Sequence, residues 1–147
     1  MKKTLLSFVL TASGLLIAGA SFAQTAPKDD QLYKAFGEKA GLVSLMDDFM
    51  IRLLADPRTG PHFKPSNQQR VKEQLVDQLC ALGGGPCVYK GADMKSAHAN
   101  QDIKKSDFNA LVEVLQQSMD AKGITFRTQN QMLALLAPMH RDVITVR

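Results

Sequence analysis

Five side chains in this 147-residue sequence are suited to holding a metal ion: His62, His98, His140, Cys80 and Cys87. Neutral imidazole is the commonest side-chain metal ligand, and thiolate is a soft one. A structural zinc site needs four such donors at short, paired spacings. Here His98 stands 36 positions after His62, and the spacings of the set fit no recognised zinc pattern. A lone histidine is more often a surface or packed residue than a ligand. His98 is distinguished by its setting, Met94-Lys95-Ser96-Ala97-His98, inside a long stretch from Gly83 to Lys105 with only short helical fragments. A connection of that length in a compact domain is usually functional.

The two cysteines point to a compartment. Lys2 and Lys3 precede an apolar run from Leu5 to Ala20, and Ser21-Phe22-Ala23 places small residues three and one positions before a cut. That is the layout of a secretory signal peptide over residues 1–23, leaving residues 24–147 as the mature domain. A membrane anchor would need about 20 strongly apolar residues, and the polar run Gln24 to Gln31 follows at once. No cysteine lies near the cut, which argues against a lipid anchor, so the mature chain is expected to be exported and free of the membrane. In an oxidising compartment an even cysteine count favours pairing. The glycines between them let the chain fold back, so a Cys80–Cys87 disulfide is expected.

Composition narrows the class. Apolar residues make up 45% and charged residues 22%, with ten Gly and six Pro, which excludes disorder, collagen and a disulfide-dense mini-protein. Cations outnumber carboxylates by 18 to 14, and two of those cations are Lys2 and Lys3, so a basic surface for nucleic acid is not indicated.

The elements that must position the candidate ligands read as helices. Val43, Met46, Met50, Leu53 and Leu54 form an apolar stripe over 41–55, stopped by Asp56-Pro57. A second helix opens on a Ser66–Gln69 capping box and repeats Val71, Leu75, Leu79 and Leu82 until Gly83-Gly84-Gly85-Pro86. Ser106 is expected to cap a third, carrying Phe108, Leu111, Val112, Leu115 and Met119 and ending at Gly123. Thr128 and Gln131 form another capping box before a fourth helix, which Pro138 should bend. No alternating strand pattern appears, so the expected class is all-α.

Taken in order, these residues resemble a group I truncated haemoglobin. The match runs through Leu32-Tyr33, Gly37, Gly41, Asp48-Phe49, Leu53-Leu54-Ala55-Asp56, Phe63, the Ala81-Leu82-Gly83-Gly84 break, Tyr89-Lys90-Gly91, Met94-Lys95, His98, Ile103, Phe108, Leu111 and Leu136-Ala137-Pro138. The resemblance implies two antiparallel helix pairs stacked crosswise around haem. It makes His98 the proximal iron ligand and Phe63 the aromatic against the haem plane. No Cys-x-x-Cys-His occurs, which argues against thioether attachment. Some relatives link a haem vinyl to a histidine of the last helix; that match falls on Met139, with His140 one residue off. Non-covalent haem b is therefore expected.

The distal side departs from the family. Members usually have a tyrosine after the phenylalanine of the first long helix, but here the pair is Phe49-Met50. Met50 is expected either to fill space or to ligate the iron through sulfur. Two further distal matches, Val71 and Leu75, are apolar. Gln74 is the polar side chain expected to reach the ligand, with Gln78 more remote. The implied function is binding of diatomic gases (oxygen, nitric oxide, carbon monoxide) with short-lived oxygen retention. That leans towards redox or nitric oxide chemistry, supplied by an electron donor, rather than storage. Nitric oxide dioxygenation and peroxidase activity both remain open. The alternative from another class is a haem-free periplasmic helical adapter or metal-binding module.

Overall fold

In the computed structural model, residues 29–146 are described; the expected signal segment lies outside them. The described residues form eight α-helices and no strand. They are α1 (Gln31–Ala35), α2 (Glu38–Ala55), α3 (Gly60–Phe63), α4 (Gln68–Leu82), α5 (Met94–His98), α6 (Lys105–Ala121), α7 (Phe126–Leu136) and α8 (His140–Val143). The all-α expectation is met.

Helix α2 is the hub, packing on both α4 and α6. Its buried residues Leu42, Leu45, Met46, Phe49 and Leu53 recur every three or four positions, which is the spacing of one helical face. They meet Val76, Leu79 and Cys80 of α4, Val114, Leu115 and Met119 of α6, and Met132 of α7. Each such side chain taken from water stabilises the fold by about 1.5–3 kcal/mol. At the start of α2 the chain turns sharply. Gly37 adopts φ +77°, and a Cβ on Gly41 would collide with the Phe36 carbonyl. Glycine is therefore required at both positions.

Three helix starts differ from expectation by one to three residues. Helix α4 is capped by Asn67, whose side chain accepts from the Arg70 N–H at 3.0 Å, while the Ser66 hydroxyl donates to the His62 carbonyl. The chain is still turning at Ser66, because its N–H bonds the Phe63 carbonyl, so the capping position falls one residue later. Helix α6 begins at Lys105, and Asp107 reaches back to the Lys104 N–H at 2.9 Å. Helix α7 is capped by Thr125, not Thr128, whose own N–H is the capped donor. Pro138 acts as expected on the helix that holds it. Helix α7 stops at Leu136, a single 3₁₀ turn spans Ala137–Met139, and α8 resumes at His140, because Pro138 offers no N–H to continue the ladder.

The glycine break after α4 is a packing joint as well as a stop. Tyr33 N–H bonds the Gly83 carbonyl at 2.9 Å. A Cβ on Gly85 would lie 2.7 Å from both Cys80 Sγ and the Tyr33 ring. Across this joint Cys80 and Cys87 are disulfide-bonded, with Cα atoms 5.7 Å apart. Cys80 is fully buried, so the link ties the end of α4 to the loop leading to α5. Replacing both cysteines by alanine is expected to lower the unfolding free energy by about 2–3 kcal/mol on the chain-entropy account. Urea denaturation of the purified double variant against wild type, with both proteins kept oxidised, measures it.

Candidate functional site

A cavity of about 260 Å³ opens between α4 on one side and α5 with the start of α6 on the other. Phe49 and Met46 of α2 stand behind it, and Phe63 of α3, Val71 and Leu75 of α4, and Phe108 and Leu111 of α6 line it. Such a lining suits a flat apolar group with few polar handles. The wall also contains His98, Met94, Gln74, Gln78, Met139 and Tyr89.

His98 occupies the last turn of a five-residue helix, half-buried, with its ring Nδ1 2.7 Å from the Met94 carbonyl oxygen. A carbonyl oxygen can only accept, so Nδ1 carries the proton. The ring is then the tautomer whose Nε2 has a free lone pair. Donation from one ring nitrogen to a backbone carbonyl is how metal-binding imidazoles are oriented and made more basic.

So short a helix needs help from its surroundings. Asp93 caps it, accepting from the Ser96 N–H at 2.9 Å and the Ser96 hydroxyl at 2.6 Å. Those bonds hold the Asp93 carboxyl below the ordinary carboxylate range. After His98 the chain turns through positive φ at Asn100 and Asp102, residue types that tolerate the left-handed region. Ile103 is then pinned by the segment that follows α8. Its carbonyl accepts from Thr145 N–H and Val146 N–H, and its own N–H donates to the Thr145 hydroxyl at 2.8 Å.

Most of the other polar groups on the wall are already engaged. The Tyr89 hydroxyl donates to the Ala92 carbonyl at 2.8 Å. Burial, with the nearby Asp93 charge, pushes the Tyr89 phenol above its usual value. His62 Nε2 lies 3.7 Å from Asp107 Oδ2. His140 is absent from this wall and meets the Phe108 ring edge-on, centroids 6.0 Å apart.

Six of the seven cavity candidates named from sequence meet here: His98, Phe63, Val71, Gln74, Leu75 and the more remote Gln78. Met50 does not. It is buried, but the α2 side chains on the cavity wall are Met46 and Phe49. On a helix Phe49 and Met50 point about 100° apart, and the face that turns to the cavity runs through 46 and 49. The space-filling reading of Met50 agrees with its burial, while the reading of its sulfur as an iron ligand loses its geometric footing. Sequence patterning missed Met94, Met139 and Tyr89 as wall residues. The first and last lie in or beside a short fragment where no periodicity can develop, and Met139 follows the helix break at Pro138. The metal-module alternative loses its two thiols to the disulfide, and the described residues contain no cluster of three His, Cys, Asp or Glu able to hold an ion.

A helical sandwich that keeps an apolar slot open beside a carbonyl-oriented imidazole is the design of a globin. The chain belongs to the bacterial-like globin family, whose model matches residues 31–145, and within it to the group I truncated haemoglobins. It is 29% identical over 114 residues to a group 1 truncated haemoglobin of Mycolicibacterium paratuberculosis, covering 78% of this chain and 84% of that protein. The solved Fe(III) form of the truncated haemoglobin from Tetrahymena pyriformis superposes with a TM-score of 0.73 at 26% identity, covering 77% of this chain and 97% of that one. The fold is shared at 21% identity by the two-over-two haemoglobin of Synechococcus sp. PCC 7002, solved with covalently attached haem (TM-score 0.72, 77% and 97% covered). Haem-based binding of diatomic gases follows from membership of this family.

The Asp93 cap supplies a test of how α5 is held. Asp93→Ala is expected to lower stability through loss of the cap, read by denaturant unfolding, and to quicken loss of whatever His98 holds. Because the folded carboxyl is depressed, its contribution is present above the unfolded value of about 3.9. It is lost as pH falls through the folded value, so the wild type should surrender its advantage over Asp93→Ala only below about pH 4.

Proposed function

We propose that this chain binds haem b non-covalently through His98 and uses it on diatomic ligands outside the cytoplasm, in redox or nitric oxide chemistry rather than oxygen storage. The observation that carries the reading is the 2.7 Å hydrogen bond from His98 Nδ1 to the Met94 carbonyl at the edge of an apolar slot. With Nδ1 engaged, Nε2 is the nitrogen this cavity-wall imidazole has to offer, the usual donor to a gas-binding haem. Phe63 is suited to lie against the porphyrin face. Val71 and Leu75 supply apolar surface opposite His98, which excludes water. Haem iron, when bound, supplies the coordination bond to the gas and one-electron chemistry; an electron donor would return it to the ferrous state.

Non-covalent attachment is supported by the wall itself. Where a histidine would have to stand for linkage, Met139 lines the slot, and His140, which does not line it, meets the Phe108 ring edge-on. Short oxygen retention is supported by the side chains of α2 that face the slot, Met46 and Phe49, neither of which has a hydroxyl. One hydrogen bond to a ligand bearing negative charge contributes about 1.5–3 kcal/mol, so its absence changes retention by roughly 10- to 100-fold. Carbon monoxide gains less from a donor and should be held more normally. Export is supported by the disulfide, since such bonds persist in oxidising compartments. No described helix is long and apolar enough to cross a membrane.

Purified protein is expected to show a Soret band, to lose it in His98→Gly, and to regain it when imidazole is added. Acid–acetone should strip the haem completely. A Soret band that survives His98→Gly without imidazole would refute the proximal assignment, and haem left on the protein after extraction would refute the non-covalent one. Mass spectrometry of exported material should give a chain beginning at Gln24 with no free thiol; an intact N-terminus or two alkylated cysteines would count against export.

A further inference from the structure

We propose that the groove between the start of α6 and helix α8 is the docking face for an acidic protein carrying one electron, which it delivers across the wall shared with the slot. The proposal rests on the haem reading above and deepens it by naming the class of the electron donor and where it sits.

The groove, about 840 Å³, is lined by Lys104, Lys105, His140 and Arg141 together with Ile144 and Val146. No carboxylate lines it. Lys104, Lys105 and Arg141 are exposed and enter none of the ion pairs of the described residues. By contrast Lys34, Arg52, Arg58 and Lys72 each stand within 3.0 Å of a carboxylate oxygen. Asp107 is turned to the slot, where it faces His62 and accepts from the Lys104 N–H, and neither Asp102 nor Asp142 lines the groove. Unmatched cations on one face create a positive potential that draws an acidic surface and orients it. None of these three charges is buried, so the groove is not built to enclose a small anion. Exposed charges act instead on the rate and orientation of encounter. Transient redox partners meet through small faces, where such steering matters most.

The position of the groove decides what its partner does. At three places consecutive residues divide between the two hollows: Ile103, Met139 and Val143 line the slot, while Lys104, His140 and Ile144 line the groove. His140 also meets the ring of Phe108, a slot residue, with centroids 6.0 Å apart. One layer of side chains therefore separates a docked partner from the contents of the slot, and an electron crosses such a layer without a bonded path. In that step the partner's reduced centre loses one electron and ferric iron gains it, becoming ferrous. No bond forms or breaks, and no proton transfer is required.

Reduced plant-type ferredoxin, an acidic [2Fe–2S] carrier, is the probe, mixed with the ferric haem-loaded protein under carbon monoxide. Growth of the ferrous carbon monoxide spectrum gives the rate of delivery, and calorimetry with oxidised ferredoxin gives binding. At about 0.01 M ionic strength, where charges reach about 30 Å, Lys105→Glu and Arg141→Glu should each slow delivery by about tenfold and weaken binding in step. Arg127→Glu, the same charge change at the opposite end of α7 from α8, should do neither. At about 1 M, where the reach falls to about 3 Å, variants and wild type should deliver alike. Glutamate is favourable in the first turn of a helix, so both groove variants keep the fold, and excess dithionite should bring them to the wild-type carbon monoxide spectrum. Equal slowing by Arg127→Glu would reduce the effect to net charge and overturn the proposal. So would groove variants that match wild type at low salt, or that lose binding to anionic lipid vesicles or duplex DNA while taking electrons from ferredoxin normally. Each of those results would leave His98 as the haem ligand, whereas a wild type with no Soret band would overturn both readings.

Discussion

The hydrogen bond from His98 to the Met94 carbonyl exists only while α5 is helical, because it joins residues one turn apart. Five residues do not form a stable helix by themselves, since nucleation consumes more entropy than one or two hydrogen bonds return. Everything around α5 therefore acts as its scaffold. Asp93 satisfies the N–H groups at its start, and the disulfide two turns of loop earlier limits how far the incoming chain can wander. Ile103, held by Thr145 and Val146, fixes the outgoing chain. Helix α8 packs against α5, so a distant stretch of sequence secures the segment that carries His98.

A slot lined by apolar groups is a cost to the fold, because its walls forgo the contacts a filled core would give them. The molecule places that cost at one edge and concentrates its close packing elsewhere. The fully buried side chains Leu42, Leu45, Met46, Leu53, Met119 and Met132 belong to one cluster drawn from α2, α6 and α7. Met46 belongs to both the packed core and the cavity wall. A ligand that binds only the folded chain raises its stability; a slot of this kind is thus a source of coupling between occupancy and folding.

Much of this was legible in the sequence, and the divide is physical. The long helices could be read because a buried face must repeat every three or four residues, as Val71, Leu75 and Leu79 do. His98 and Phe63 could be read because the ordered set of motifs around them carries a family resemblance. Helix starts were misread by a few residues wherever two capping types stood close together, Ser66 beside Asn67 and Thr125 beside Thr128. The cap is chosen by which residue takes the extended conformation, and composition does not reveal that. Met50 fills space as one reading had it, but its distance from the wall was not legible for a related reason: motif position names a residue but does not say how the helix is rolled. A rotation of one position exchanges Phe49 and Met50 at the wall.

The same roll decides which elements bring polar groups to the slot. With Met46 and Phe49 facing the slot, α2 contributes bulk and no donor, so the polar groups on the wall come from other elements, α4 among them. Spacing on α4 gives the positions at 71, 74, 75 and 78 to the cavity, and two of those are apolar. Of the remaining pair, Gln74 has water as a competitor for its amide. Gln78 has only thioethers, and a donor held by weak partners exchanges them at little cost. A hydroxyl fixed on a rigid helix would be preorganised for one ligand geometry. An amide resting between two sulfurs is less firmly placed, because unbranched thioether side chains give way readily.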